Sequence, residues 1–356
     1  MTLSCFFLTF NGFQGLNLAG NTVKLRVLVL LAVIALAGCA ERQDANLTGN
    51  VLVNLGSVPA RGVALDVDVQ GNLAYLADRP YGIGIYDLSN PAAPALVDSI
   101  VMPLPYVYAD GITLESSGLL ALLHTENPIQ VYSFQTGGVL FLPPSSSGIY
   151  ESEAHYSQDI LTLAYSDRGA ADGFTFVKYQ NTGGDTLQFG SSLFSTRYVA
   201  STYGFALGAN DVAFVTLDLE GFVSLDLSIS GFAGVLTVMN LPGRVRDAAL
   251  SGSVLCLAAG YEGLHTVEVT DPANPIYLGS LRIENSRDIE RVIVADGRAY
   301  LLDALDGVFA VDITNPTNPE LIGTLLTANP NQFTVAGDLV LVADDDMGLV
   351  VGQILF

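Results

Sequence analysis

A unit of about 44 residues recurs along this chain, and nothing else in the sequence constrains the fold so tightly. Aligned on its second strand it reads GNLAYLADRPYGIGIYDLSNPAAPALVDSI over 71–100 and GSVLCLAAGYEGLHTVEVTDPANPIYLGSL over 252–281. A third copy, over 296–325, reads DGRAYLLDALDGVFAVDITNPTNPELIGTL. A repeat of this length with only strands and turns predicts a propeller blade. In the first unit Leu73, Tyr75 and Ala77 alternate with Ala74, Leu76 and Asp78, and both sets are mostly apolar. A strand covered on both faces by neighbouring blades has that pattern. Asp78-Arg79-Pro80-Tyr81-Gly82 then supplies a turn, because Asp caps its own backbone and Gly tolerates positive φ. Asn90-Pro91-Ala92-Ala93-Pro94 ends pairing, since proline lacks a donor N–H and restricts the residue before it.

Seven units follow from the Tyr75 position, with equivalents at Leu120, Thr162, Phe214, Cys256, Tyr300 and Leu341. Units two to four have lost the Asn-Pro turn. The last unit runs out at Phe356 after three strands, and the missing fourth is supplied by Val51–Val58. Its tail Leu55-Gly56-Ser57-Val58 resembles the fourth-strand endings Leu278-Gly279-Ser280-Leu281 and Ile322-Gly323-Thr324-Leu325. The expected architecture is therefore all-β: a seven-bladed β-propeller over 50–356, its last blade closed by an N-terminal strand that removes two exposed edges.

Residues 1–38 read as a cleaved signal region, with a true start near Val23, and 39–49 as a polar tether. Lys24 and Arg26 precede an apolar stretch too short to span a membrane, which takes about 20 residues. Leu36-Ala37-Gly38-Cys39 resembles a bacterial lipobox. That resemblance implies acylation at Cys39, a lipid anchor in the cell envelope, and, with Ala40 following, the outer membrane.

Ala74-Tyr75-Leu76-Ala77-Asp78, Gly82-Ile83-Gly84-Ile85-Tyr86-Asp87 and Ser89-Asn90-Pro91 resemble the LVIVD repeat of secreted and surface-attached bacterial and archaeal proteins. Units one, five and six match it well, unit seven through Ala343-Asp344 and Gly348-Leu349-Val350-Val351, and units two to four weakly. The resemblance implies a propeller at the cell surface and no catalytic residues.

The chain carries 36 acidic and 14 basic residues, a net charge of −22, which repels nucleic acid and anionic lipid headgroups. Chemistry-bearing motifs are sparse. Trp is absent, there is no Cys-x-x-Cys-His and no Gly-x-Ser-x-Gly, and His124, His155 and His265 have no ligand spacing. Cys256 sits alone in an apolar strand and reads as a core thiol. Asp344-Asp345-Asp346, Asp303 with Asp306, and Asp167 with Asp172 lack the spacing of a calcium loop and read as solvated turn caps. No catalytic residue, metal ligand or cofactor is assigned.

One constellation remains. The first strand of each blade lines the channel, where the repeat phase places Asp66, Gly111, Glu153, Phe205, Asp247, Arg291 and Gln332, with Arg61, Arg244, Arg246 and Arg287 opening three of these strands. Asp66, Glu153, Asp247, Arg291 and Gln332 are the candidate ligand-binding residues at the channel mouth. Two functions fit this reading: a lipid-anchored, non-catalytic binding or scaffold protein with a protein or glycan partner, or a metal-dependent hydrolase of lactonase type using Asp66, Glu153 and Asp247.

Overall fold

Strands apolar on both faces can bury themselves only by stacking sheet against sheet, and the chain does so seven times. The computed structural model describes residues 50–355, apart from 102–109, 116–117, 119, 125–129, 142–148, 168–172, 184–186 and 285. The expected signal region 1–38, Cys39 and the expected tether 39–49 lie outside the described residues, as does Asp172. Within them there are strands and turns and no α-helix.

Each blade is a sheet of four antiparallel strands whose first strand lies innermost, with a short fifth strand added in parallel at the edge of blade three. Those inner strands are Val63–Gln70, Gly111–Leu114, Ile149–Ser157, Phe205–Gly208, Asp247–Ser251, Ile289–Ala295 and Pro330–Ala336. Blade seven takes its outer strand from the other end of the chain: Leu52–Val58 pairs antiparallel with Gly348–Ile354, from Leu52 opposite Ile354 to Val58 opposite Leu349. Cores form between adjacent blades; Tyr300, Val308 and Leu325 of blade six, for example, pack with Phe333, Val342 and Val350 of blade seven.

Two elements of the repeat lock one blade to the next. The Asp that ends the second strand is fully buried at Asp78, Asp303 and Asp344. Asp303 Oδ2 accepts the N–H groups of Arg287 and Asp288 in the incoming link, while Oδ1 accepts those of Leu305 and Asp306 in its own turn. Asp344 does the same with Ala328, Asn329, Asp346 and Met347. These aspartates do cap backbone N–H groups, but in the interior and not in solvent, because several donors offset the loss of hydration. The second lock is a close approach. A Cβ on Gly279 of blade five would meet the Thr317 carbonyl of blade six's Asn-Pro turn at 2.8 Å, and one on Gly56 would meet Ala92 O of blade one's turn at 2.9 Å. The glycine of the fourth strand is the seat of the next blade's turn.

Candidate functional site

The inner strands have no sheet partner on the channel side, so their lumen-facing N–H groups need other acceptors. Carboxylates supply them across blade boundaries. Ile112 and Leu114 N–H donate to Asp66 and Asp68 of the preceding blade at 3.0 and 2.8 Å, and Val292 N–H donates to Asp247 at 2.9 Å. Asp66 and Asp247 each also accept the N–H of the residue that follows, Val67 or Ala248, at 2.8 Å. Gln332 accepts the N–H of Phe333 in the same way, at 3.1 Å.

Around these groups lies a cavity of about 820 Å³, within the usual size of a small-ligand site. Blades one, two, three, five, six and seven line it, with Asp66, Asp68, Glu151, Asp247, Arg291 and Gln332 among the wall residues. Arg291 crosses the lumen. From blade six it donates to Tyr150 O of blade three at 2.9 Å, lies 3.4 Å from Glu151 Oε2, and stacks 3.9 Å from the centroid of the Tyr150 ring. Glu151 in turn hydrogen-bonds to Asp247 of blade five. These contacts pass over blade four, which presents Gly204 there; a Cβ on Gly204 would collide with Asp247 Oδ1 and Glu151 Oε2.

Burial governs the charges. It pushes the Asp66 carboxyl up to about 7, reinforced by Asp68 and opposed by the N–H bonds from Ile112 and Val67. It also raises Asp247, and it raises Glu151 well above the ordinary carboxyl range, where repulsion from Asp247 adds to it. Glu151 is the protonated partner of that pair. Burial works against the Arg291 charge, but Tyr150, Glu151, Asp247 and Asp66 around it outweigh that and keep the guanidinium protonated.

Of the residues assigned to the mouth from the repeat phase, the structure brings Asp66, Asp247, Arg291 and Gln332 to one cavity. Glu153 is exposed and does not line it; Glu151, two residues earlier, holds that place. The register shift that immediately precedes Asp66, Arg291 and Gln332 lies between Ile149 and Glu151 in the nine-residue inner strand of blade three, so counting back from the second strand stops two residues short. Phe205 is likewise off the channel: it is buried and packs on Phe174 at 5.1 Å between centroids, leaving Gly204 at the lumen. Anchoring the count on the inner strand is the signal that would have found both. His265 is buried with Pro242 O at 2.9 Å and the Tyr277 hydroxyl at 3.2 Å, His155 is exposed beside Ser157 Oγ, and burial pushes the Cys256 thiol up to about 12.

Residues 61–101, 242–282 and 286–327, which cover blades one, five and six, match the family described as the LVIVD repeat. Three blades of this seven-bladed propeller are therefore LVIVD repeats. No curated protein matches its sequence. Among solved structures, the chain is similar to the computationally designed Ika8 protein, with 12% identity and a TM-score of 0.60 over 85% of this chain and 99% of that one. A chain of the mitotic checkpoint complex is similar at 10% identity and TM-score 0.60, over 89% of this chain and 97% of that one. At such identities the likeness concerns the fold alone.

Proposed function

We propose that this propeller is a lipid-anchored protein of the cell envelope that acts by binding, with the axial cavity as its ligand site. One observation carries the reading: the cavity carboxylates are already committed. Asp66 and Asp247 hold backbone N–H groups of neighbouring blades, and Glu151, Asp247 and Arg291 engage one another. A metal-dependent hydrolase needs three or more such groups turned toward one ion. Among the described residues no His, Cys, Asp and Glu group of that size is arranged to hold one, and Glu153 stands outside the cavity.

The anchor is supported by Leu36-Ala37-Gly38-Cys39 alone. Cys39→Ala should move the protein from the membrane fraction to a soluble or unprocessed pool; unchanged retention and mass would end that part of the reading. For the binding role, immobilised mature domain should retain a partner from detergent-solubilised envelope, and Arg291→Gln should weaken that retention. Chelator-sensitive hydrolysis of a lactone or ester panel by the purified domain would favour the enzyme instead.

A further inference from the structure

All seven blades run in the same sense, so the turns between second and third strands emerge at one face of the ring, beside the links from each fourth strand to the next blade. Five of those turns are described. Four of them hold a large apolar side chain in solvent: Tyr81, Leu219, Tyr261 and Leu305, exposed by 50, 70, 57 and 41%. The conformation of such a turn is set by its glycine, as at Gly82, Gly221 and Gly263 with φ of 85°, 81° and 78°, and makes no demand for these apolar groups. Turns on the opposite face, such as Gly71-Asn72, Asn210-Asp211 and Asp296-Gly297, are polar.

The same face gathers arginines, although the chain is strongly acidic. Arg61 stacks over Tyr81 at 5.5 Å and Arg282 over Tyr261 at 3.7 Å, while Arg244 pairs with Asp218 at 2.8 Å. Exposed Tyr with stacked Arg is the composition of a protein-binding hot spot. The axial cavity opens here, because Arg79 and Asp110, which stand at this face, are among its wall residues. Among its wall residues the four aspartates Asp66, Asp68, Asp110 and Asp247 outnumber the two arginines, and both guanidiniums are engaged: Arg291 with Tyr150 and Glu151, Arg79 with Asp110. An anion would meet only acceptors there, whereas a single ammonium or guanidinium group could share the second lone pairs of carboxylate oxygens that each already accept one backbone N–H.

We propose that this face docks a protein segment that inserts a lysine or arginine side chain into the axial cavity while its apolar neighbours cover Tyr81, Leu219, Tyr261 and Leu305. The proposal rests on the binding reading above and names the partner's chemistry. It explains why exposed apolar side chains crowd the one rim that surrounds an acid-lined hole. A cation bound there would draw down the Asp66 carboxyl, which burial holds up near 7, and so release a proton on binding.

The test uses the purified mature chain and two defined peptides, acetyl-Leu-Lys-Phe-Arg-Leu-amide and its analogue with both basic residues replaced by Glu, in calorimetric titrations. The basic peptide should bind with release of protons, and the acidic one should not. Asp66→Asn should weaken binding at least tenfold, and so should Tyr261→Ser with Leu305→Ser, which alters only exposed side chains and leaves the fold intact. Equal binding of both peptides, or of neither, overturns the proposal. If the Tyr261→Ser, Leu305→Ser protein still retains its envelope partner at full strength, this docking face is wrong although the binding reading stands.

Discussion

Blades five to seven and blades two to four solve the same packing problem in different ways. In the regular set the junctions are local and repeated: a buried Asp staples the link, and a glycine of the outer strand seats the next blade's turn at Gly279 and Gly56, or the start of the closing strand at Gly323. Blades two to four lack the Asn-Pro turn, and individual side chains and an extra strand take over. Tyr156 N–H of blade three donates to the buried Glu115 at 2.9 Å. Gly231–Phe232, from the chain of blade four, pairs in parallel with Thr196 and Arg197 and so extends the edge of blade three. Arg291 ties blade three across the lumen to blade six. A degenerate repeat keeps its place in the ring when tertiary contacts replace the locks its sequence has lost.

The largest expected effect lies at ring closure, where the regular set begins and ends. Deleting the first ten residues after Cys39 should leave thermal unfolding unchanged, whereas deleting through Val58 should abolish cooperative folding. The second truncation removes the ladder to Gly348–Ile354, each bond worth about 0.5–1.5 kcal/mol net, together with the buried Leu52. Equal melting of the two truncations would show that closure does not depend on this strand.

A smaller effect separates the two kinds of junction. Gly279→Val should destabilise by about 1–3 kcal/mol, because its branches would press on the Thr317 and Pro316 carbonyls. Thr237→Val, at the matching register position of blade four, should change stability by under about 1 kcal/mol. Denaturant titration of both proteins measures the difference, and similar losses would mean that the glycine seat is not special to the regular blades.

The smallest effect is in the pH profile. Asp66 has a raised value, so the folded state holds a proton that the unfolded chain gives up above about 3.8; stability from it is full below that pH and is lost as pH rises through about 7, and the raised Glu151 and Asp247 act in the same sense. Asp87, Asp226, Asp271 and Asp312, held low by Ser89, Ser228, Asn274 and Thr314, act in the opposite sense, and their contribution is lost as pH falls below about 3.8. The melting temperature should therefore peak on the acid side of neutrality, and Asp66→Asn should flatten its fall between pH 4 and 7. A profile rising steadily to pH 8 would contradict the buried acids of the mouth.

What was legible in the sequence belongs to the repeat. Period, turn chemistry, blade number and the closing strand are all written in residues that are neighbours along the chain or that recur at fixed intervals, as in Asp78-Arg79-Pro80-Tyr81-Gly82 and Leu55-Gly56-Ser57-Val58. Asp66, Asp247, Arg291 and Gln332 could be placed because their blades keep the common count between second and first strand. In blade three the pairing keeps that count, with Glu153 opposite Ala164, but the register shift before the lumen residue comes two residues further from the hairpin, and in blade four the count itself changes by one. Strand side chains alternate between faces, so a one-residue slip turns Phe205 into the core and leaves Gly204 at the lumen. The bond from Glu151 to Asp247, and the reach of Arg291 to Tyr150, join blades that are not adjacent in the ring. Only the closed ring brings those residues within reach of one another, since their separation in sequence carries no period.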